Sequence, residues 1–534
     1  MNRTRRVSRW VTVLVAVGLF AAACGDDGAS SDDGATTITG NNGTAAAGPT
    51  TTKPPKIGGS VTVFVPNDRA SLDNVVGTNN GSTDAPVFIA IYDQLIRVDR
   101  EGKVEPRLAQ SVTSTDNKVW KIKLRDKLTF SDGTVFDAAA VKFNWDRMAK
   151  TTGRGQSDAK ALTSIVVDDA TSLTITLAEP NSEWPRRLMA NLGWIGSPTA
   201  FTALGDKFAA APVAAGPFVL KSWTRDSEMV LVRNPTYWDA PRPYLDEVKV
   251  EPLLDAAQRY NSFKANEADL IFLVAPSNEL SKIKDGTNKV VDDPDSIGGT
   301  GLLMNVTRAP LNDIRVRQAL GYALNLDDIN KKLTGGGLTM VTDFIPKSSP
   351  YYDPSLTNRV GDPAKAQALI NDYVASKGGG PVTVTINVSS QFALLGQVIQ
   401  QQLSQIQNLK FEILPSSAAE LVENRGKSNF DIILGAVAGA DPDSAFAVNL
   451  KTGLTTNYGK YSNPAVDASL AKAVSVSDPA VKKAEYLKVA QAILNDAPFV
   501  ALFRLPIFWG FQNNISGVRV FDTGVIDLGV VSKN

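Results

Sequence analysis

The sequence contains no histidine and a single cysteine, Cys24, in 534 residues. Without histidine, the chain has no Ser-His-Asp or Cys-His arrangement and no zinc site built on imidazole. A lone cysteine cannot close an intramolecular disulfide, and no imidazole is present to activate it as a nucleophile. These absences exclude most hydrolase designs, disfavour free nickel as a ligand, and leave the position of Cys24 to be explained.

The segment around Cys24 is typical of an exported lipoprotein. Four arginines within the first nine residues precede a mostly apolar stretch, residues 11–23, which is too short for an ordinary membrane span and suits a signal-peptide core. Three alanines directly before Cys24 resemble a bacterial lipobox, whose cysteine is diacylated. We therefore predict a signal peptide over residues 1–23 and a lipid on Cys24. A plain secretory signal with an incidental cysteine is the alternative, and Arg5-Arg6 leaves twin-arginine export open.

The region after Cys24 is predicted to be a disordered tether over residues 24–57. Up to about Lys56 it consists of small and polar residues, with Ile38 as its one large aliphatic side chain, so it cannot bury enough surface to fold. Removing residues 1–23 changes the balance of 55 basic and 55 acidic residues to 51 against 55. Nucleic acid is therefore not an expected partner, because phosphate binding needs a concentrated basic surface.

The rest of the chain, about 475 residues, is too long for one core and should form two or three lobes. Short β-branched runs predict strands, and segments with capped, amphipathic patterns predict helices that begin after Asp362 and Asp478. The predicted fold class is α/β. The runs that predict strands are 60–66, 119–124, 172–177, 228–234, 382–388 and 430–437.

A long block of sequence resembles the signature of the bacterial extracellular solute-binding proteins of family 5, the peptide, dipeptide and nickel class. The block is "EPRLAQSVTSTDNKVWKIKLRDKLTFSDGTVFDAAAVKFNWDRM", residues 105–148. Three further blocks follow in the family's order, at 214–248, 311–325 and 362–370. The resemblance covers nearly all of the chain from about residue 58 to its end.

The resemblance implies a periplasmic-binding-protein-like fold of type II, bilobal with an additional domain. Ligand would bind in the cleft between lobes, and closure would bury it. The expected segments are 58–83, 207–296 and 508–534 for domain I, 84–206 for domain II, and 297–507 for domain III.

The same resemblance implies a monomeric receptor, not an enzyme, that has no cofactor and binds a peptide or another small organic solute. It would deliver that solute to an ABC permease served by a separate ATPase, at the extracytoplasmic face of the cell membrane, with the lipid as its sole membrane contact. Two alternatives stay open. One is a secreted hydrolase that works with a pair of carboxylates, and the other is a receptor for a glycan or a metal chelate.

Candidate ligand contacts lie in two loops and at one aromatic residue. The first loop follows the first strand, and the second lies at the end of the strand in "GAVAGADPDSAF", residues 435–446. Trp194 is a candidate aromatic wall. No catalytic residue and no metal ligand is predicted. The loop candidates are Thr78, Asn79, Asn80 and Gly81 in the first loop, and Ala436, Ala438 and Gly439 in the second.

One departure from the family pattern concerns the ligand's charge. Peptide receptors of this family resemble one another in an aspartate that pairs with the peptide's α-ammonium group, three residues before an Asp-Pro turn. The position three residues before Asp441 is Ala438. We therefore expect weak binding of free dipeptides and a preference for solutes without a free α-amino group, unless Asp441 or Asp443 takes over the role.

Substituting Cys24 tests the predicted anchor. Cys24→Ser removes the thiol that would carry the lipid, so the protein should appear in the medium or accumulate as uncut precursor. Cell fractionation with mass spectrometry of the N-terminus measures both outcomes. A correctly cut Cys24→Ser protein that still sediments with the membrane would contradict the prediction.

Overall fold

The computed structural model describes residues 36–39, 54–76, 83–98, 103–153, 155–274, 279–284, 289–292, 296–504, 507–521 and 524–534. The predicted signal peptide, Cys24 and the four loop candidates Thr78, Asn79, Asn80 and Gly81 lie outside the described residues.

The described residues alternate between strands and helices along the chain. The strands are β1 Thr36–Thr39, β2 Ser60–Val65, β3 Ile96–Val98, β4 Val104–Pro106, β5 Ala109–Ser114, β6 Val119–Leu124, β7 Leu162–Asp169, β8 Ser172–Leu177, β9 Phe218–Thr224, β10 Glu228–Arg233, β11 Glu247–Pro252, β12 Leu270–Val274, β13 Lys289–Asp292, β14 Ile297–Met304, β15 Val382–Val388, β16 Leu409–Pro415, β17 Ile432–Gly439, β18 Phe499–Phe503, β19 Ile507–Phe511, β20 Ile515–Ser516 and β21 Ser532–Lys533. The α-helices are α1 Ala85–Tyr92, α2 Ala138–Lys150, α3 Gln156–Lys160, α4 Pro198–Leu204, α5 Ala256–Lys264, α6 Glu279–Lys284, α7 Ile314–Tyr322, α8 Leu326–Thr334, α9 Pro363–Ser376, α10 Ala393–Leu403, α11 Ala418–Lys427, α12 Val448–Leu450, α13 Pro464–Ser475 and α14 Pro479–Asp496.

Three large sheets organise the fold, and we name a lobe after each. Lobe I is built on the mixed sheet β13-β19-β12-β2-β11-β10-β9, in which β2 runs parallel to β11 and β12. Lobe II is built on the antiparallel sheet β1-β5-β6-β8-β7. Lobe III is built on β16-β15-β17-β14-β18, in which β15 runs parallel to β16 and β17. The chain therefore leaves lobe I twice and returns to it twice.

The helices and strands expected from local patterns are present. Strand β6 has the bounds that its sequence pattern predicts. Helix α9 follows Asp362, whose side chain accepts a hydrogen bond from the Lys365 N–H at 3.0 Å. Helix α14 follows Asp478, whose side chain accepts from the Ala480 N–H at 2.8 Å. These aspartates satisfy backbone N–H groups that have no partner within the helix. Because the expected strands and helices both form, the predicted α/β fold class is confirmed.

Strand β1 differs from the prediction of an unstructured tether. Its four residues pair antiparallel with β5, with Thr36 opposite Ser114 and Thr39 opposite Ser111. All four are β-branched, a side-chain type that favours strands. Strand β5 would otherwise be an edge of the lobe II sheet, and edges offer unpaired backbone groups to a further strand.

The lobes differ in how they join. One buried apolar cluster combines Phe64 and Phe508 of lobe I with Leu302, Ile386 and many other side chains of lobe III. Lobe II has a separate core, in which Trp120 and Phe130 are fully buried as the sequence suggests. Lobes I and III therefore share apolar contacts, whereas lobe II touches lobe III through polar groups, described below.

A buried network of charged side chains connects lobe II to lobe I. Arg107 lies 3.1 Å from Asp93 and donates to the Tyr237 hydroxyl at 2.6 Å, and that hydroxyl donates to Asp93 at 2.8 Å. Arg97 donates to Asp527 near the C-terminus at 2.6 Å. All of these side chains are buried, and buried charges are tolerated because each one is paired and hydrogen-bonded.

None of the helices in the described part of the chain is long and apolar enough to cross a membrane.

Replacing Asp527 tests the buried network. Burial raises the pKa of Asp527, but Arg97 and Arg107 outweigh it and lower the pKa to about 2. The carboxylate therefore stabilises the fold above pH 4, and that contribution is lost as the pH falls toward 2. Asp527→Asn should lower the free energy of unfolding at pH 7 by about 3 kcal/mol, the lower end of the range for a broken buried pair, because Asp93 remains 3.8 Å from Arg97.

Thermal unfolding between pH 2 and pH 7 measures this effect. The variant should lose less stability than the parent between pH 4 and pH 2, and the matched change at exposed Asp126, Asp126→Asn, should leave the curve unchanged. An Asp527→Asn protein as stable as the parent at pH 7 would contradict the assigned role.

Candidate functional site

The carboxyl ends of parallel strands mark where a ligand binds in open α/β sheets. In lobe I, the chain leaves β2 at Val65 and runs on toward the candidates at 78–81, which lie outside the described residues. In lobe III, it leaves β17 at Gly439 and enters the Asp-Pro turn. Both candidate loops therefore follow the carboxyl ends of strands that have parallel neighbours.

The base of the lobe I loop is held by lobe II. Arg147 of α2 donates to the Asp73 carboxylate at 3.0 Å, and the Asn74 side chain donates to the Asn144 side chain at 2.9 Å. Asp73 in turn accepts from the Val75 N–H at 2.8 Å. Side chains of α2 thus fix the point at which the loop begins.

Strand β17 has an open backbone edge toward its end. Strand β15 pairs with it at Ile432 and Ile433 only, and no other strand of the described residues covers this edge farther along. On the opposite edge β17 pairs with β14, with Gly298 opposite Ala438 and Thr300 opposite Ala436.

The direction of the β17 backbone groups follows from hydrogen bonds of β14. The Gly298 N–H donates away from β17, to the Phe344 carbonyl at 2.9 Å. The pair of Gly298 and Ala438 is therefore not hydrogen-bonded, and alternation along an antiparallel ladder extends this to Thr300 and Ala436. The N–H and C=O groups of Ala436 and Ala438 consequently point to the open edge, where they can bind a polar ligand. By the same alternation, those of Gly439 face β14.

The face of the sheet around these alanines is only partly covered. Ala436 is exposed. Thr300, opposite it, is buried, and its hydroxyl has no hydrogen-bond partner in the described part of the chain. Gly298 has a φ of +69°, and a Cβ there would lie 2.0 Å from the Val437 carbonyl oxygen, so only glycine fits. Thr300 is a candidate contact that the sequence analysis missed, because its burial depends on distant strands.

Asp441 and Asp443 lie in the turn after β17. The Asp441 carboxylate accepts hydrogen bonds from the N–H and the hydroxyl of Ser444, at 3.0 and 2.9 Å. Asp443 begins a short π-helix, Asp443–Ala447. Both aspartates are buried. Burial, followed by repulsion from the Asp441 carboxylate, raises the pKa of Asp443 to about 6.

Two arginines of lobe II face these aspartates. Arg186 and Arg187 lie on a short 3₁₀ helix, Trp184–Leu188. Arg186 Nε is 3.5 Å from Asp441 Oδ2, and Arg187 Nη2 is 3.6 Å from Asp443 Oδ2. Burial lowers the pKa of Arg187, but the surrounding carboxylates, Asp158 first, outweigh it and raise the pKa overall. The turn after β17 therefore meets lobe II through ion pairs.

A third ion pair joins the same two lobes. Glu183, directly before the 3₁₀ helix, contacts Lys482 of α14 and lies 3.0 Å from Arg186. Burial raises the pKa of Glu183, but Lys482 and Arg186 outweigh it and the pKa is lowered. Next to this pair, the Ser182 N–H donates to the Val474 carbonyl at 2.7 Å. These contacts close lobe II against lobe III.

Asn117 adds a neutral contact at the edge of this interface. Its side-chain amide donates to the Ser477 hydroxyl at 3.0 Å. Each of these contacts between lobes II and III is a hydrogen bond or an ion pair, which bonds to water could replace if the lobes separated.

Trp194 is buried against Phe88, with ring centroids 5.9 Å apart. Its indole N–H has no hydrogen-bond partner among the described residues. Its role as an aromatic wall of the cleft stays a prediction. No group of three or more His, Cys, Asp or Glu side chains in the described ranges is placed to hold a metal ion.

The arrangement has the outline of a type II binding protein. Lobe II contacts both the segment that follows β2 of lobe I and the turn that follows β17 of lobe III, in each case through polar groups. The family model described as "Bacterial extracellular solute-binding proteins, family 5 Middle" matches residues 103–497. The chain belongs to this family, which consists of solute-binding proteins, and the predicted family and fold class are confirmed.

One curated relative and two solved structures illustrate what this chain is similar to. Glutathione-binding protein GsiB of Escherichia coli (strain K12) is 27% identical over 460 residues, which are 83% of this chain and 89% of that protein. The structure of DppA from Helicobacter pylori, in complex with peptide STSA, matches with a TM-score of 0.76 and 24% identity over 90% of this chain and 98% of that chain. NikA from Brucella suis, in complex with Fe(III)-EDTA, matches with a TM-score of 0.78 and 20% identity over 89% of this chain and all of that one.

Replacing Glu183 tests the contact between lobes II and III. Glu183→Gln leaves Lys482 partly buried without its anionic partner, so the closed arrangement should lose stability relative to an open one. Small-angle X-ray scattering of the protein without added solute should then give a larger radius of gyration than for the parent. The exposed neighbour Glu179 offers the matched control, Glu179→Gln, which should scatter like the parent. Identical curves for all three proteins would show that the pair does not hold the lobes together.

Proposed function

We propose that this protein is the lipid-anchored receptor of an ABC importer, which binds a peptide or a peptide-like small organic solute between its lobes and delivers it to the permease. The observation that carries the proposal is the open edge of β17 at Ala436 and Ala438, which lies beside a polar, exchangeable contact between lobes II and III. An extended backbone-like ligand can pair with such an edge, because main-chain groups supply affinity without demanding one side-chain sequence.

The relatives support an organic solute of this size. GsiB is named as glutathione-binding, and DppA was solved with a peptide. NikA was solved with Fe(III)-EDTA, which keeps a metal chelate, beside a glycan, as the alternative within the receptor class. A ligand that contacts two lobes stabilises the state in which both contacts exist, and this drives closure.

The anchor completes the proposed function. A lipid on Cys24, followed by a polar segment, would hold the binding lobes near the membrane face where the permease lies. No nucleic acid or cofactor takes part in this function, and one copy of the chain suffices for it.

Identification of the bound solute tests the function. Mass spectrometry of small molecules released from the purified protein should identify a peptide or another organic solute. Adding that solute back should raise the melting temperature, because it binds the native state alone, and should leave the solute chemically unchanged. Release of a cleaved product would favour the alternative of a secreted carboxylate-based hydrolase.

The paired state of Asp441 and Asp443 leads to a prediction about the ligand's charge. Position 438 carries no carboxylate, and both nearby aspartates face the arginines of lobe II. A buried ammonium group without an anionic partner is costly. Dipeptides with a free amino group should therefore bind at least about tenfold more weakly than their N-acetylated forms, a difference of about 1.4 kcal/mol.

Titration calorimetry with matched free and acetylated dipeptides measures this difference. Ala438→Asp supplies the missing carboxylate and should reverse the preference, whereas Ala440→Asp, two residues farther along the turn, serves as the matched control. Micromolar binding to the parent that disappears on acetylation would contradict the prediction and would mean that another carboxylate captures the amine.

A further inference from the structure

Asp443 occupies an unusual position at the contact between lobes II and III. It is buried, yet the guanidinium of Arg187, 3.6 Å away, belongs to lobe II and departs when the lobes separate. On the lobe III side, the hydroxyl of Tyr486 on α14 is buried without a hydrogen-bond partner in the described part of the chain. Asp443 is the carboxylate that acts most strongly on this hydroxyl, and burial together with that carboxylate raises the pKa of Tyr486.

The charges around Asp443 come from several elements. Lobe II contributes Asp158 of α3 together with Glu183, Arg186 and Arg187, which sum to zero. Lobe III contributes Asp441, Asp443 and Lys482, which sum to −1, and Lys451 after α12 also acts on Asp443, more weakly than Arg187 does. The groups joined by these ion pairs therefore comprise four carboxylates and three cations, so the ion-paired groups alone carry an excess of one negative charge.

The charged residues of α13, which also packs against this turn, are engaged elsewhere. Asp467 accepts from the Thr452 N–H at 3.0 Å, and Lys472 acts on Glu485. The interactions given for Asp467 and Lys472 are therefore with Thr452 and Glu485, and not with Asp443.

We propose that closure of lobe II onto lobe III takes up one proton at Asp443, so that acidification of the surroundings favours the closed receptor. The inference rests on the proposed closure of the lobes, but on no particular solute.

The sign follows from burial. In the closed arrangement, burial and Asp441 raise the pKa of Asp443 from 3.8 to about 6, against the pull of Arg187. When lobe II departs, water reaches the carboxyl and the pKa returns toward its ordinary value. Closed protein therefore binds more protons than open protein between about pH 4 and pH 6, and the ratio of closed to open should rise about tenfold from pH 7.5 to pH 5.0.

Two other carboxyls with a shifted pKa bear on the same range of pH. The chain has no histidine. The pKa of Glu183 is lowered, so it stays ionised down to pH 5.0. Glu251 of lobe I is a second carboxyl with a raised pKa, caused by burial and by Glu228. It lies within the lobe I sheet on β11, away from the contact between lobes II and III.

A distance measurement without any solute tests the proposal. Spin labels on Lys121→Cys of lobe II and Ala471→Cys of lobe III, both exposed positions, are placed in a Cys24→Ser background. Pulsed electron spin resonance at pH 7.5 and pH 5.0 then gives the fractions of short and long distances. The short-distance fraction should grow at pH 5.0, by about tenfold in the ratio.

Two variants assign the effect to Asp443. Asp443→Asn imitates the protonated carboxyl and should give the same, mostly short distances at both pH values. Glu251→Gln removes the other raised carboxyl and should respond to pH as the parent does. An unchanged distance distribution in the parent, or a full pH response in Asp443→Asn, would overturn the proposal. Because no solute is present, either result is independent of whether the proposed ligand class is correct.

Discussion

The structure depends on a contrast between two kinds of contact. Lobes I and III share an apolar cluster that includes Phe64, Leu302 and Phe508, and separating such surfaces in water is costly. Lobe II meets lobe III through Glu183 and its neighbours, in ion pairs that gain little net free energy once the cost of desolvation is counted. A contact of this kind can form and break, so a modest ligand contribution can decide which state is populated.

The same contrast bears on the position of the proposed binding edge. Strand β17 must end near the lobe contact, because the turn that follows it carries Asp441 and Asp443 to Arg186 and Arg187. Its neighbour β15 stops pairing at Ile433. The backbone groups of Ala436 and Ala438 are thereby left open a few residues before the ion-paired turn, so a solute bound there, as proposed, would be linked to the lobe contact through one short segment.

Local sequence signals were sufficient for most elements of the fold. Asp362 and Asp478 are helix caps that depend on residues two or three positions away, and the alternation in β6 is visible within six residues. The ion pairs of the site have no such signal. Glu183 and Lys482 are 299 positions apart. No local pattern in "EWPRRL", residues 183–188, predicts which residue forms an ion pair with Glu183. The strand at 36–39 was missed for the same reason, because its pairing with β5 depends on an edge that the sequence does not show.

The central claim is that solute is enclosed by movement of the lobes. Small-angle X-ray scattering of the wild-type protein, stripped of solute and then saturated with the solute identified from it, tests this claim most directly. The account predicts a smaller radius of gyration in the saturated protein. A scattering profile unchanged at saturation would contradict it.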